Sequence, residues 1–467
     1  MAIAEHMAPI MFVGLIVFLI IGYPVAFSLS ALGLFFGFVS VQLGLFGPEY
    51  LANLPLRIFG IVSNDLLLAI PFFTFMGTIL ERSGLAEDLL DSTGQLFGGL
   101  PGGLAYAVIA VGAIFGAISG TIAASVLALG MIALPAMMRY GYHMKTATGA
   151  IAATGTITQV IPPSLTLVVL ADQLGKSVGD MYAGAVGPAL LQVLIFMLYI
   201  FALSKLRPQW MPPLPAEART LSGWRLWRRV LWGVVPALAL IFLVLGTIFL
   251  GLATATEAGA MGAVGAMILA ALRGRLSPTL IWQGMDTTMR LSAMVIFILI
   301  GATVFSLVFQ GVDGPVWVEE LLGDLPGGPT GFLVVVMLFV FALAFFLDFF
   351  EIAFIVVPLL APVAVKLGID PIWFGVLLCV TLQTSFMHPP FGFALFYLRG
   401  IAPKEVRSAD IYWGSVPWVG LQLVVVGLVI AFPQLVGLFL DTAAPIDMDK
   451  AGEDVRRQIE RALTPGN

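Results

Sequence analysis

Long apolar runs, rather than alternating hydrophobic and polar positions, dominate this chain. Stretches such as 9–39, 230–250 and 421–440 are long enough to cross about 30 Å of hydrocarbon at about 1.5 Å per residue. A helix satisfies its own backbone hydrogen bonds inside a bilayer, where no water is available. The pattern therefore predicts an all-α polytopic membrane protein. The first run lacks the basic region and cleavage site of a signal peptide, so we expect it to remain as a span.

An internal repeat divides the chain. The tetrapeptide Leu-Pro-Gly-Gly occurs at 100–103 and again at 325–328. Each copy is followed, in the same order and with the same intervals of six and twenty-one residues, by a proline, a glycine and a Pro-Pro pair: Pro135, Gly141 and Pro162-Pro163, then Pro362, Gly368 and Pro389-Pro390. This agreement predicts two homologous repeats. From the N-terminus, we expect scaffold helices 1–65, a first repeat 66–204, a basic connector with two scaffold helices 205–289, a second repeat 290–440 and a charged tail 441–467.

Polar, Gly- and Pro-rich positions interrupt each repeat at two matching places. The first interruption lies near 116–121 in one repeat and 347–351 in the other, and the second contains the Pro-Pro pair. Backbone carbonyls freed at membrane depth are tolerated only inside protein or beside a cavity. We therefore predict a re-entrant hairpin and a discontinuous helix in each repeat: hairpins 101–138 and 326–365, and broken helices 146–171 and 372–399. The alternative is that the first interruptions are ordinary loops and each Pro-Pro pair is only a kink.

The distribution of basic residues predicts the topology. Six Lys and Arg residues lie within 205–229, whereas the loop 311–329 carries four acidic residues and no basic one. Basic loops face the cytoplasm, so we expect the connector 205–229 inside and the loop 311–329 outside. The two hairpins then enter from opposite sides, which makes the repeats inverted and places the C-terminal tail in the periplasm.

Composition narrows the class of protein. Apolar residues make up 60% of the 467 positions and charged residues 10%, with a net charge of −5, so a basic nucleic-acid-binding face is excluded. One cysteine excludes an intrachain disulfide framework, and three scattered histidines argue against a haem-bearing subunit. Inverted repeats with discontinuous helices are typical of secondary transporters with a site at the midplane. We therefore expect a transporter that is not an enzyme and needs no cofactor.

Hydroxyl and carboxyl groups near the breaks are the candidate site residues. Ser119 and Thr158 lie at breaks where no regular carbonyl partner four residues earlier is expected, so we interpret them as functional. Asp348 and Glu351 lie three residues apart at the second predicted hairpin tip, where a cation-linked role or a helix-capping role is open. His388 precedes the second Pro-Pro pair, where it could titrate or serve as a hydrogen-bonded structural group.

Several motifs resemble those of a known family. Gly-Ala-Ile-Ser-Gly-Thr at 116–121, Ile-Pro-Pro-Ser at 161–164, Phe-Leu-Asp at 346–348 and Leu-Gly-Ile-Asp-Pro-Ile-Trp-Phe-Gly-Val at 367–376 resemble the large, DctM-like membrane subunit of tripartite ATP-independent periplasmic (TRAP) transporters. The run from 382 to 399 is similar to the branch labelled for mannitol or chloroaromatic compounds. The resemblance implies an elevator-type fold of the ion-transporter superfamily in the bacterial inner membrane. It also implies Na⁺ as the coupling ion, an organic-acid substrate, a small four-helix membrane subunit and a periplasmic substrate-binding protein.

The resemblance also implies site residues. A first Na⁺ site would use Ser119, Thr121, Thr158, Ile161 and Pro163, and a second would use Asp348, Ser385, His388 and Phe391. This chain departs from the family pattern at Thr121-Ile122 and at His388, which puts side-chain ligands of the second site in doubt. Candidates for the substrate site are Gly120, Thr156, Ser164, Glu351 and Thr384.

Two other functions stay open on the sequence. A self-sufficient Na⁺/carboxylate symporter would use the same core, and a structural or enzymatic subunit of a respiratory complex would also be apolar. For the transporter, we expect the hairpin domains to slide against a fixed scaffold. A flat interface helix in the connector, with Trp210, Trp224, Trp227 and Trp232, would anchor that scaffold in the headgroups. The alternative is that these aromatic residues only end two ordinary spans.

Overall fold

The computed structural model describes residues 6–323, 325–345, 347–390 and 392–440, and within these ranges the regular structure is entirely helical. The predicted all-α membrane fold is confirmed. By length and composition, eight described helices can cross a membrane: Val25–Gln42, Ile122–Arg139, Val178–Leu206, Gly223–Phe249, Ala255–Leu272, Pro278–Gly311, Phe349–Lys366 and Ser408–Ala431. Shorter helices complete the fold: Met7–Ile21, Pro48–Leu51, Leu54–Val62, Ala69–Arg82, Leu85–Phe97, Gly103–Ser119, Met144–Thr156, Leu165–Gln173, Gly314–Gly323, Gly328–Leu343, Pro371–Ser385, Phe393–Ile401 and Gln434–Gly437.

The N-terminal apolar run is two helices rather than one span. Met7–Ile21 ends at Gly22, whose φ of 84° is in the left-handed region, and Val25–Gln42 begins after Pro24. A glycine in this conformation followed by a proline ends one helix and starts the next. The single run predicted at 9–39 is therefore wrong in this detail, because hydrophobicity alone does not mark a turn.

Helices of the two predicted repeats follow the same order along the chain. The order is a helix, a short helix, a hairpin pair, a pair interrupted at Pro-Pro and a long helix, and it occurs from Ala69 to Leu206 and again from Pro278 to Ala431. The hairpin pairs are Gly103–Ser119 with Ile122–Arg139, the first hairpin, and Gly328–Leu343 with Phe349–Lys366, the second hairpin. The predicted start of the second repeat, residue 290, lies inside the continuous helix Pro278–Gly311. The first helix of this repeat therefore begins after Ser277.

Small residues let the scaffold helices approach closely. Val25–Gln42 packs along Pro278–Gly311, where a Cβ on Gly33 would meet the Val304 backbone and one on Gly301 would overlap the Ala26 carbonyl. Close contact at small residues is the usual way in which helices associate in lipid. These glycines therefore fix the distance between the two helices.

The connector does not form a separate flat helix within the described residues. Trp224, Trp227 and Trp232 lie in the first turns of Gly223–Phe249, which continues for 27 residues, and Trp210 belongs to a short 3₁₀ turn that stacks on His143. At about 1.5 Å per residue the helix is about 40 Å long, which exceeds the hydrocarbon core by about two turns. The prediction of a separate interface helix is therefore wrong, because its tryptophans at 224, 227 and 232 belong to the first turns of a longer helix that can span the membrane.

Each interrupted helix packs against the long helix of the other repeat. Met144–Thr156 crosses Ser408–Ala431, where a Cβ on Gly149 would overlap the Gly414 carbonyl. Pro371–Ser385 correspondingly packs against Val178–Leu206. The two repeats are therefore interlocked around their breaks.

Candidate ion and substrate site

The tip of the first hairpin is a turn of two residues. Gly103–Ser119 ends at Gly120, and Ile122–Arg139 begins after Thr121, which is extended. Gly120 has a φ of 66°, a conformation that glycine adopts without the steric cost of a Cβ. A Cβ on Gly77 would overlap the Ser119 carbonyl oxygen, so the helix Ala69–Arg82 packs directly against this tip.

The first break, residues 157–164, separates the two arms of the first broken helix. Met144–Thr156 continues as a 3₁₀ turn at Ile157–Gln159, and the second arm, Leu165–Gln173, begins after the Pro-Pro pair. A Cβ on Gly116 would lie 3.0 Å from Thr158 Oγ1, and one on Gly120 would lie 3.6 Å from Leu165 Cγ. The hairpin tip therefore lies against both arms at the break.

Three buried hydroxyls join the tip to the break. Ser119 Oγ lies 2.7 Å from Ser125 Oγ, and Thr158 Oγ1 lies 2.8 Å from the same Ser125 Oγ. Ser119 is 2% exposed, and Ser125 and Thr158 are 0% exposed. We call these residues the hydroxyl triad. Hydroxyl and carbonyl oxygens are the ligands that hard cations prefer, so the triad and the neighbouring carbonyls supply chemistry suited to Na⁺.

Ser125 was missed by sequence reasoning. It lies one turn inside Ile122–Arg139, beyond the break itself, and its backbone N–H donates to the Thr121 carbonyl. The sequence does contain a sign of this role, since Ser125 is a polar residue near the start of the apolar helix Ile122–Arg139. That helix follows one polar break and precedes another. Only the packing of that helix shows which way its side chain points.

Some predicted hydroxyls do have carbonyl partners in their own helices. Thr158 Oγ1 lies 2.9 Å from the Gly155 carbonyl, because the 3₁₀ turn brings the oxygen three residues earlier within reach. This partner lies three residues earlier, so the expectation that Thr158 has no regular partner four residues earlier is not contradicted. Four other candidate hydroxyls donate to nearby carbonyls: Thr156 to Ala153, Ser164 to Gln159, Thr384 to Val380 and Ser385 to Thr381.

The tip of the second hairpin carries a capping box. Phe349 N–H donates to Asp348 Oδ1 at 2.7 Å, and Asp348 N–H donates to Glu351 Oε2 at 3.0 Å. Such reciprocal bonds satisfy the free N–H groups at the start of a helix. Both carboxylates therefore make a capping contact. The sequence left a cation-linked role and a capping role open, and these contacts are the ones that capping requires.

We expect Asp348→Asn to transport nearly as well as the wild type, because asparagine caps a helix as well as aspartate does. Asp348→Ala should lower the midpoint of thermal unfolding, since the loss of a cap costs about 1 kcal/mol. Uptake at several Na⁺ concentrations and thermal unfolding in detergent would measure both effects. Loss of Na⁺-dependent uptake in a stably folded Asp348→Asn protein would instead assign the carboxylate to cation binding.

Aromatic rings lie at the second break, residues 386–392, where the structure describes it, and the predicted ligand Ser385 directly precedes it. The His388 ring lies against Phe345 of the second hairpin and 5.4 Å from the ring of Phe341. Phe391, the remaining predicted ligand, lies outside the described residues. Both Pro-Pro bonds, 162–163 and 389–390, are cis. The described side chains around the two breaks are therefore different.

Helix ends of both polarities lie at the first break. The carboxyl ends of Gly103–Ser119 and Met144–Thr156 carry partial negative charge, whereas the amide ends of Ile122–Arg139 and Leu165–Gln173 carry partial positive charge. Carbonyls at the first kind of end suit a cation, and N–H groups at the second kind suit an anion. The predicted residues Gly120, Thr121, Ile161 and Pro163 all lie within this junction.

These features define a multi-pass membrane protein whose buried polar groups are concentrated at paired interruptions of its helices. Residues 12–435 match the family described as "Tripartite ATP-independent periplasmic transporter, DctM component". The chain belongs to this family, as the resemblance of its motifs predicted. It is a transport protein rather than an enzyme or a respiratory subunit.

Individual relatives agree with this assignment. The chain is 31% identical, over 84% of its length and 90% of the relative, to the C4-dicarboxylate TRAP transporter large permease protein of Pseudomonas aeruginosa. It is 29% identical, over 91% of its length and 65% of the relative, to the isethionate TRAP transporter permease protein of Oleidesulfovibrio alaskensis. The YdaH transporter of Alcanivorax borkumensis has a similar fold, with a TM-score of 0.58 and 15% identity over 83% of this chain and 89% of that one.

Proposed function

We propose that this chain is the large permease subunit of a Na⁺-coupled importer of an organic acid in the bacterial inner membrane. The observation that carries the proposal is the hydroxyl triad, which joins Ser119 and Thr158 through Ser125 beside the first break. Three buried hydroxyls beside a break in a helix form an oxygen-rich group without a carboxylate, which suits a monovalent cation. Ser119, Thr121, Thr158, Ile161 and Pro163 are the residues that we expect to hold it.

The proposed substrate is a small anion. The amide ends of two helices at the first break favour negative charge, and the relatives named above are a C4-dicarboxylate and an isethionate transporter. Gly120, Thr156 and Ser164 lie on the segments around these helix ends. The mannitol or chloroaromatic branch stays a prediction.

The remaining parts of the proposal concern assembly and topology. A periplasmic binding protein would deliver the substrate, and a small four-helix membrane subunit would complete the scaffold. We propose that the repeats are inverted, because the basic connector and the acidic loop 311–329 then lie on opposite sides of the membrane. This topology gives the hairpins opposite entry sides, as an alternating-access site between repeats needs.

Reconstitution distinguishes this proposal from a self-sufficient symporter. Proteoliposomes that contain the chain with its small subunit should accumulate substrate only with binding protein outside and an inward Na⁺ gradient. Replacing the Na⁺ gradient by an equal K⁺ gradient is the matched control, and it should reduce uptake to the level of empty liposomes. Full uptake by the chain alone would favour the symporter, and equal uptake with K⁺ would exclude Na⁺ coupling.

A further inference from the structure

Two buried hydrogen bonds cross between the repeats at equivalent positions. Thr156 and Gln383 each lie six residues before a Pro-Pro pair. Gln422 Nε2 donates to Thr156 Oγ1 at 2.9 Å, and Gln383 Nε2 donates to Gln192 Oε1. We call the Gln422–Thr156 bond the first bridge and the Gln383–Gln192 bond the second bridge.

Each bridge joins a broken helix to the long helix of the opposite repeat. Gln192 lies on Val178–Leu206, which follows the first broken helix, whereas Gln422 lies on Ser408–Ala431, which follows the second. All four side chains are 0% exposed. A buried amide without a partner is costly in an apolar surrounding, so breaking either bridge while its side chains stay buried is unfavourable.

The second bridge lies beside the first break as well as the second. Cys379 Sγ donates to the Gln159 carbonyl at 3.0 Å, and Gln159 is the last residue of the 3₁₀ turn that opens the first break. Cys379 and Gln383 are four residues apart on one helix and thus share a face. Pro371–Ser385, which ends at the second break, therefore contacts the first break directly.

We propose that the two bridges hold the two breaks as one rigid body, so that a change at either break is transmitted to the other. Gln192, Gln383 and Gln422 are then positioning residues that set the place of the carbonyls before each Pro-Pro pair. The consequence for transport, that ligands at the two breaks influence each other, rests on the proposed function. The mechanical inference rests on the crossed contacts alone.

Cys379 is a native reporter of this junction. It is the single cysteine of the chain, and it is fully buried. Its rate of modification by N-ethylmaleimide, measured on the purified chain in lipid nanodiscs without Na⁺ or substrate, reports how often the junction opens. Gln192→Leu should raise that rate about threefold to tenfold, the factor expected for one interhelical hydrogen bond in lipid.

The decisive variant is Gln422→Leu, which breaks the first bridge. If the bridges act together, it should also raise the rate of Cys379 modification about threefold to tenfold. As the neutral acid, the form that burial without a counter-charge favours, Gln192→Glu keeps an acceptor oxygen at the same reach and should stay near the wild-type rate. Gln310→Leu is the control, because Gln310 is an exposed glutamine that pairs with Arg57 on another helix.

An increase in Gln192→Leu but not in Gln422→Leu would overturn the proposal, because each bridge would then be only local. Unchanged rates in both variants would overturn it as well. If either leucine variant fails to fold, Gln192→Asn and Gln422→Asn remove the same bonds while keeping a polar side chain, and the same criteria apply. Because labelling is measured without ions, a wild-type transporter that ignores Na⁺ would refute the proposed function without affecting this result.

Discussion

The Ser125→Ala variant is expected to need about tenfold to hundredfold more Na⁺ for half-maximal uptake than the wild type, the range typical of removing a supporting contact at a metal site. Ser125 is the common partner of Ser119 and Thr158, so its hydroxyl orients both predicted ligands. Removing it leaves two buried hydroxyls to reorient. Uptake into proteoliposomes as a function of Na⁺ concentration, with the binding protein present, measures the change.

Ser415→Ala is the matched control for this variant. Ser415 is equally buried, but its hydroxyl donates to the Tyr412 carbonyl within its own helix, outside the triad. It should therefore retain the wild-type Na⁺ dependence. Equal Na⁺ dependence of the Ser125→Ala protein and the wild type, at equal expression, would contradict a cation site at the triad.

Cysteines placed at the two hairpin tips are expected to change the side from which they react with a membrane-impermeant maleimide when Na⁺ and substrate are added. We propose an elevator motion in which the hairpins and broken helices slide against the scaffold. Ala123→Cys, two residues beyond the proposed ligand Thr121, and Phe349→Cys place single thiols at the tips in a Cys379→Ala background. Each thiol is labelled from either side of oriented vesicles, with and without Na⁺ and substrate. The expected effect is that the side from which the thiol reacts changes.

Trp224→Cys provides the fixed reference for this experiment. Trp224 is 73% exposed at the start of Gly223–Phe249, a helix whose extra length beyond the hydrocarbon places its Trp and Arg residues among the headgroups. This position should react from the cytoplasmic side under every condition. Tips that react from one side only, whatever ligand is present, would refute the elevator motion.

The two breaks supply different kinds of candidate ligand in this proposal. Three hydroxyls contact one another at the first break, whereas those of Thr384 and Ser385 at the second donate to carbonyls of their own helix, and aromatic rings lie beside them. A cation at the second break would thus rely on backbone carbonyls more than on side chains. The bridges then provide a physical route by which the oxygen-rich break positions the other one.

The sequence by itself determined the membrane fold, the places of both breaks and the family. A bilayer demands long apolar helices, while glycine and proline mark turns and interruptions through their own backbone restrictions. These signals are local, so they can be read without knowing what packs against them. The same holds for Ser119, Thr121 and Thr158, which lie at the breaks themselves.

Only the tertiary structure decided which polar side chains meet. Ser125, Gln192 and Gln422 are single polar residues within apolar helices, and their partners lie 33, 191 and 266 positions away. The tertiary structure also assigned Trp224 to a long span and gave Thr158 a carbonyl partner in a 3₁₀ turn. Helical periodicity identifies a face of a helix but not its neighbour, because helix packing is set by the close approach of small residues from distant parts of the chain.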